Sequence, residues 1–347
     1  MNIVQLESVA RALVAPGKGI LAADESSATA NKRFAAVYVT QDEDHRRTFR
    51  EILLTTPDAV GIVSGVIFYD ETFWEKGSSG ELFREYCAKH GIIPGIKVDE
   101  GLTDLPGFPG EKVSKGLDTL PERIQKYAEA GAQFAKWRSV IVIGEKIPTD
   151  ACIAANAYVL ARYARICQEA GVVPIVEPEV LFDGKHTSEQ CEAVTSHVLE
   201  TLFAAMRTYR VHFPGAILKT GMVLPGKDSG IPVDETDVAD RTVRTLRTHV
   251  PHDIGGVVFL SGGQTPHQAF ANLNAIAQRG PHPWGLTFSY SRALQDPVLK
   301  HWAVHQTDIV GAQSIFAHQL KVAQAARSGS MSVAAHSDDF VSHSQDM

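Results

Sequence analysis

Cysteine is scarce: four residues in 347, at positions 87, 152, 167 and 191, with no C-x-x-C spacing. A chain this long and well supplied with core residues has no need of a disulfide framework, so reduced thiols are expected. Long hydrophobic runs are missing too. No stretch approaches the roughly 20 apolar residues of a membrane span. The opening MNIVQLESVARALVAPGKG lacks the basic start, apolar run and small-residue cleavage site of a secretion signal. These absences predict a soluble, cytoplasmic protein without a membrane partner. Positive charge is also short, with 33 Lys and Arg against 40 Asp and Glu and a net charge of −7. That argues against a strongly basic nucleic-acid binder, and an apolar fraction of 44% excludes a disordered chain.

What is present is a set of short apolar runs that end in polar or glycine residues: 19–24, 65–70, 94–99, 133–140, 172–179, 215–221, 256–262 and 285–291. Most begin at Gly or Pro, are rich in Val, Ile and Phe, and are continuously apolar, as a parallel sheet covered on both faces requires. Helical patterns separate them. Val194, Val198, Leu202 and Met206, for example, recur every four residues after a Thr-Ser-Glu start at Thr187. Eight strand–helix repeats predict a single α/β domain, a closed (β/α)8 TIM barrel, over an open doubly wound sheet. The domain is expected over residues 1–327, with 1–18 a helical lead-in. Residues 328–347, rich in Ser, His and Asp, are expected to form a flexible C-terminal tail.

Polar residues gather at the C-terminal ends of the runs: Asp24, Lys97, Asp99, Lys136, Arg138, Glu177, Glu179, Lys219, Ser261, Ser289 and Arg292. In a barrel these ends meet on one face, where active sites of such enzymes lie. Lys97, Lys136 and Lys219 stand out because lysine is rarely buried unless paired or functional. Lys219 follows Ala-Ile-Leu directly; burial and two neighbouring lysines would leave more free amine to attack a carbonyl carbon, which is Schiff-base chemistry. Its alternative is an ion pair with Glu177 or Asp24. Glu177 and Glu179 flank Pro178, and period two turns both to one face. Held close, one would retain a proton as general acid while the other orients a lysine; alternatively both are neutralised by the lysines. The ends LSGGQ and TFSYSRAL supply hydroxyls, backbone N–H groups beside glycines and Arg292, the makings of a phosphate site after the seventh and eighth strands.

Three patterns are set aside. Gly221 to Lys227 has the spacing of a nucleotide-binding loop, but Asp228 replaces the needed hydroxyl. None of the 14 histidines falls within the eight runs, so a metal centre in the barrel mouth is disfavoured. Phe68, Phe73, Trp74 and Phe134 read as packing residues rather than a stacking surface.

GILAADES, GIKVD, FAKWR, PIVEPE, FLSGGQ, LNAI and TFSY-x-RAL, in that order and across nearly the whole chain, resemble the class I fructose-1,6-bisphosphate aldolases, the metal-independent, Schiff-base-forming lyases of glycolysis. The resemblance implies a (β/α)8 barrel that needs no cofactor and no metal. It implies an imine at Lys219, a general acid at Glu177 helped by Glu179 and Lys136, and Asp24 acting on the C4 hydroxyl as the C3–C4 bond breaks. It places one phosphate at Ser261, Gly262, Ser289, Ser291 and Arg292, and the other at Ser26, Arg33 and Lys97, with Arg138 contributing. The products would be dihydroxyacetone phosphate and glyceraldehyde 3-phosphate, and the assembly a homotetramer.

Departures from the animal pattern are LKTGMV for LKPNMV, SYSR for SYGR, and Ala28 for a glycine. The last tyrosine is Tyr290, where animal enzymes end in a tyrosine that aids proton transfer, so proton exchange at the enamine carbon would fall to another group or to water. Two other readings remain open at this point. One is a related barrel acting on a ketose monophosphate or tagatose bisphosphate, and the other is a phosphosugar-binding scaffold without activity.

Overall fold

The computed structural model describes residues 1–332, and among them the eight expected runs all contain strands: Gly19–Ala23, Val63–Phe68, Ile93–Lys97, Phe134–Ile141, Val173–Val180, Ile217–Thr220, Gly256–Phe259 and Leu286–Tyr290. They are called the first to eighth strands below. Each pairs in parallel with its neighbours in sequence, and the first pairs with the eighth through Ile20↔Ser289 and Leu21↔Tyr290. The sheet is therefore closed, and the open doubly wound alternative is excluded. Helices follow the strands on the outside, among them Ser188–Thr208, whose start is fixed by a reciprocal pair of hydrogen bonds between Thr187 and Gln190.

Side chains alternate across each strand, so every second residue enters the barrel. The outward set, including Leu21, Phe68, Ile96, Trp137, Val176, Leu218, Phe259 and Phe288, is buried with the surrounding helices in one large core. Phe68 and Phe73 meet edge to face at 6.1 Å between ring centres, as packing residues do. The inward set changes character along the strands. At the N-terminal end Ile20, Ile67, Phe134, Val173, Ile175, Ile217 and Val258 form a separate core. It is closed from below by Leu6, Val9, Ala10 and Leu13 of the helix Ile3–Leu13, the expected lead-in. Gly95 makes room for the Phe134 ring, since a β-carbon there would lie 2.3 Å from it. Two residues further up the fourth, fifth and sixth strands, the same inward face carries Lys136, Glu177 and Lys219.

Between the third and fourth strands the structure adds an antiparallel hairpin, Leu102–Asp104 with Lys112–Ser114, that the sequence did not announce. Its strands are three residues long and mostly polar, too short for an alternating pattern to register. It is anchored to the barrel rim by the Ser114 hydroxyl, which donates to the Arg138 carbonyl at 2.5 Å. Glu111 accepts the Thr149 backbone N–H and hydroxyl at 2.7 and 2.6 Å. The last helix, Ile309–Arg327, ends at the expected domain boundary. Of the tail expected over 328–347, residues 333–347 lie outside the described residues. All four cysteines are buried and free of disulfides.

Candidate active site

The C-terminal mouth of the barrel holds a cavity of about 830 Å³. At its floor Lys136 Nζ lies 2.7 Å from Asp24 Oδ2 and 2.8 Å from Glu177 Oε2, and Lys219 Nζ lies 3.2 Å from Glu177 Oε1. All four side chains are buried. Of the two partners that the sequence left open for Lys219, the structure selects Glu177. Two ammonium groups thus face two carboxylates, each set on a different strand or strand end. Buried charges persist only when paired in this way.

The electrostatics follow from the pairing. Burial alone would raise the Asp24 carboxyl, but Lys136, Lys219 and Lys97 outweigh it and hold the group well below the usual carboxylate range. Burial likewise works to raise Glu177, and Lys136, Lys219 and Arg138 bring it below its ordinary value instead. Burial would lower Lys136, yet Asp24, Glu177 and Asp99 push it above the ordinary lysine value. Asp24 and Glu177 are therefore ionised at neutral pH, with Lys136 a fixed cation between them.

Of the arrangements the sequence left open for Glu177 and Glu179, the structure shows each carboxylate beside a cation. Both do line the cavity, as period two requires, but each has its own cation. Glu179 is ion-paired with Arg138 on the neighbouring strand, Glu177 with the two lysines.

Around this floor stand the other expected residues: Ser26, Lys97, Arg138, Ser261, Gly262, Ser289, Ser291 and Arg292 all line the cavity. Gly262 and Gly263 adopt positive φ of 56° and 91°, a conformation that suits glycine and bends the chain after the seventh strand. The Ser289 hydroxyl is buried without a protein partner. Arg292 opens the helix Arg292–Val304, is exposed, and forms no ion pair among the described residues. A helix N-terminus, an orphan hydroxyl and an uncommitted guanidinium together make this the anion-ready side of the mouth. On the other side the cations are already engaged, Lys97 with Asp99 Oδ1 at 2.7 Å and Arg138 with Glu179. Ser26 caps the helix Ser27–Ala35 by accepting the Thr29 N–H at 3.3 Å.

Arg33 departs from its expected place and does not line the cavity. Its guanidinium donates to Glu25 Oε1 at 2.5 Å, to Gln295 Oε1 at 2.8 Å and to Asp296 Oδ1 at 2.8 Å, which turns it away from the mouth. The acceptor responsible, Glu25, lines the cavity and was not singled out from the sequence. It follows Asp24 directly, outside the every-second-residue pattern, and its arginine partners are distant in sequence. Asp99, noted at its strand end without a role, takes Lys97 on one oxygen and the Arg138 backbone N–H, at 3.2 Å, on the other.

Lys227 is ion-paired with Asp183, and no helix begins at the Gly221–Lys227 loop. Tyr290 is buried with its hydroxyl donating to the Ala269 carbonyl at 2.9 Å, on the outward face of its strand. Among the described residues no group of three or more His, Cys, Asp or Glu is arranged to hold a metal ion.

Comparisons with known proteins agree with this geometry. The family described as "Fructose-bisphosphate aldolase class-I" matches residues 5–345. A protein of Xanthomonas axonopodis pv. citri named probable fructose-bisphosphate aldolase class 1 is 50% identical over 322 residues, 92% of this chain and 96% of that one. Cytosolic fructose-bisphosphate aldolase 4 of Arabidopsis thaliana is 50% identical over 307 residues, 88% of this chain and 78% of that one. Among solved structures, Plasmodium falciparum fructose-bisphosphate aldolase, crystallised with TRAP and a small-molecule inhibitor, superposes with a TM-score of 0.93. The identity is 44%, and the match covers 95% of each chain.

Proposed function

The chain belongs to the class I fructose-bisphosphate aldolase family and is a lyase, and from that premise we propose that it cleaves fructose 1,6-bisphosphate through an imine on Lys219. The observation that carries this reading is the buried chain of contacts Asp24–Lys136–Glu177–Lys219, with Glu177 ionised 3.2 Å from the Lys219 amine.

In that arrangement Glu177 first accepts a proton from the Lys219 ammonium, and the free amine attacks the substrate ketone carbon. Glu177 then returns the proton to the carbinolamine hydroxyl, which leaves as water and gives the protonated imine. Asp24 takes the proton of the C4 hydroxyl as the C3–C4 bond breaks. The bonding electron pair passes to the imine nitrogen, and glyceraldehyde 3-phosphate departs from an enamine. A proton delivered to the enamine carbon restores the imine, and water releases dihydroxyacetone phosphate from Lys219. Lys136, held cationic by Asp24 and Glu177, keeps both carboxylates ionised and aimed at the reacting carbons. Glu179 acts at one remove by fixing Arg138. Tyr290 is too enclosed to serve the proton-exchange step, which falls to another group or to water.

One substrate phosphate is assigned to Ser261, Gly262, Ser289 and Arg292, with only the backbone of Ser291 beside it, and the other to Ser26, Lys97 and Arg138. Arg33 reaches the mouth only by giving up its three acceptors. Two anion sites on opposite sides of the imine lysine favour a bisphosphate over a monophosphate. The resemblance adds assembly into a homotetramer. The cytosol is the compartment of the Arabidopsis relative, and no helix among the described residues is long and apolar enough to cross a membrane.

The deciding experiment is borohydride reduction in the presence of fructose 1,6-bisphosphate, followed by peptide mapping by mass spectrometry, with and without chelator. A chelator-insensitive adduct on Lys219 is expected. Chelator-sensitive cleavage without an adduct would replace the imine by metal-assisted chemistry, and neither adduct nor cleavage would favour a phosphosugar-binding role.

A further inference from the structure

The anion-ready side of the mouth depends on the first turn of the helix Arg292–Val304, and three of that turn's polar groups are tied to the loop after the first strand. The Ser291 hydroxyl donates to Glu25 Oε1. Gln295 accepts from Arg33 at 2.8 Å and donates to the Ala22 carbonyl at 2.7 Å, and Asp296 accepts from Arg33 at 2.8 Å. Glu25 is the node of this web, because Arg33 at 2.5 Å shares its Oε1 with Ser291, and Arg50 approaches Oε2 at 2.8 Å. Ser291 occupies the N-cap position, yet its side chain makes no cap bond to its own helix. Its hydroxyl, the group that ordinarily satisfies the first helical N–H groups, is spent on Glu25 instead.

We infer that Ser291 is a positioning residue for phosphate binding: by donating to Glu25 it holds the start of its helix, and with it Arg292, in register with the loop after the first strand. Two physical consequences follow. The Leu294 N–H turns back to the Ser291 carbonyl at 3.0 Å, and the N–H groups of Arg292 and Ala293, which take no cap from Ser291, stay free for an incoming anion. The Glu25 charge, which faces the same cavity and would repel phosphate, is engaged by two hydrogen-bond donors on Oε1, Arg33 and Ser291, and by the Arg50 charge beside Oε2. Burial works to raise the Glu25 carboxyl, but Arg50 and Arg33, with Ser291 adding to them, keep it ionised and so keep the catch closed. Ser291 thus acts on phosphate through Glu25, with its side chain turned from the ligand rather than toward it.

This inference rests on the assignment of a phosphate to Arg292, and its test separates the two. Calorimetric titration with inorganic phosphate, alongside steady-state cleavage of fructose 1,6-bisphosphate, is made on wild type, Ser291→Ala and Ser291→Thr. Loss of one charge-assisted hydrogen bond is expected to weaken phosphate binding and raise KM by about three- to tenfold in Ser291→Ala, with kcat within about twofold. Ser291→Thr, which retains the hydroxyl, restores both. Unchanged binding and KM in Ser291→Ala would overturn the inference while leaving the assignment of the site intact. So would a fall in kcat or melting temperature shared by Ala and Thr, the mark of a merely structural residue. Absence of phosphate binding by wild type itself would overturn the site and the inference together.

Discussion

The two ends of the barrel interior are built on the same strands and the same inward face, and they differ by one step of two residues. Phe134, Ile175 and Ile217 fill the N-terminal end, where the helix Ile3–Leu13 seals them from water. Lys136, Glu177 and Lys219, the next inward positions, are just as buried but face a cavity. The lower end is held by packing that tolerates no charge, and the upper end by charges that tolerate no missing partner. Catalytic groups can be sequestered from solvent here because the layer beneath them is closed, which keeps their mutual interactions strong.

Breaking the upper layer at its proposed nucleophile is expected to have the largest effect. Lys219→Ala should lower kcat by about 10⁴-fold or more while circular dichroism and melting show a folded barrel, since Glu177 keeps Lys136 as a partner. Turnover within tenfold of wild type would sink the imine. Lys136→Met attacks the same layer through stability. It strands Asp24, leaves Glu177 with Lys219 alone, and should cost about 3 to 5 kcal/mol at neutral pH in denaturant unfolding. Because both carboxyls are depressed in the native state, the stability they contribute is present above their unfolded value, near 4, and is lost as pH falls through the lower native values. The gap between wild type and Lys136→Met should therefore narrow below about pH 4. A gap that widens on acidification would contradict the ionised floor.

Phe134→Ala sharpens the comparison from below. Removing the ring leaves a void among Gly95, Gly65 and Leu13 and should cost about 3 to 5 kcal/mol of stability, with KM of the surviving folded enzyme unchanged. A large shift in KM would mean that the two layers are not separable. The smallest effect is expected at the rim: Arg292→Ala removes one charge-assisted contact worth about 1.5 to 3 kcal/mol, read as a raised KM with the melting temperature held. An unchanged KM would move the phosphate elsewhere.

Much of this was legible in the residues. Continuous apolar runs ending in polar groups located eight strands, because a strand covered on both faces must be apolar along its length and can turn polar only where it meets solvent or a cavity. Lys136, Glu177 and Lys219 were found for the same reason, as charges too close to apolar interiors to be incidental. Arg33 was misplaced because a guanidinium near the first strand's end reads the same whether it faces the mouth or the wall; its direction is fixed by Glu25, Gln295 and Asp296. The hairpin after the third strand was missed because six short, polar strand residues carry no periodic signal.

Composition by itself determined the number of barrel strands and which residue types reach the mouth, since a strand covered on both faces stays apolar until it meets solvent or a cavity. Pairing was decided by the tertiary structure alone. Lys136 meets an aspartate 112 positions earlier in the chain, Glu177 meets two lysines while Glu179 meets Arg138, and Ser291 meets Glu25 266 positions away. Such partners are chosen by closure of the first strand against the eighth and by the stagger between strands. Charges that far apart in sequence have no local pattern to record them.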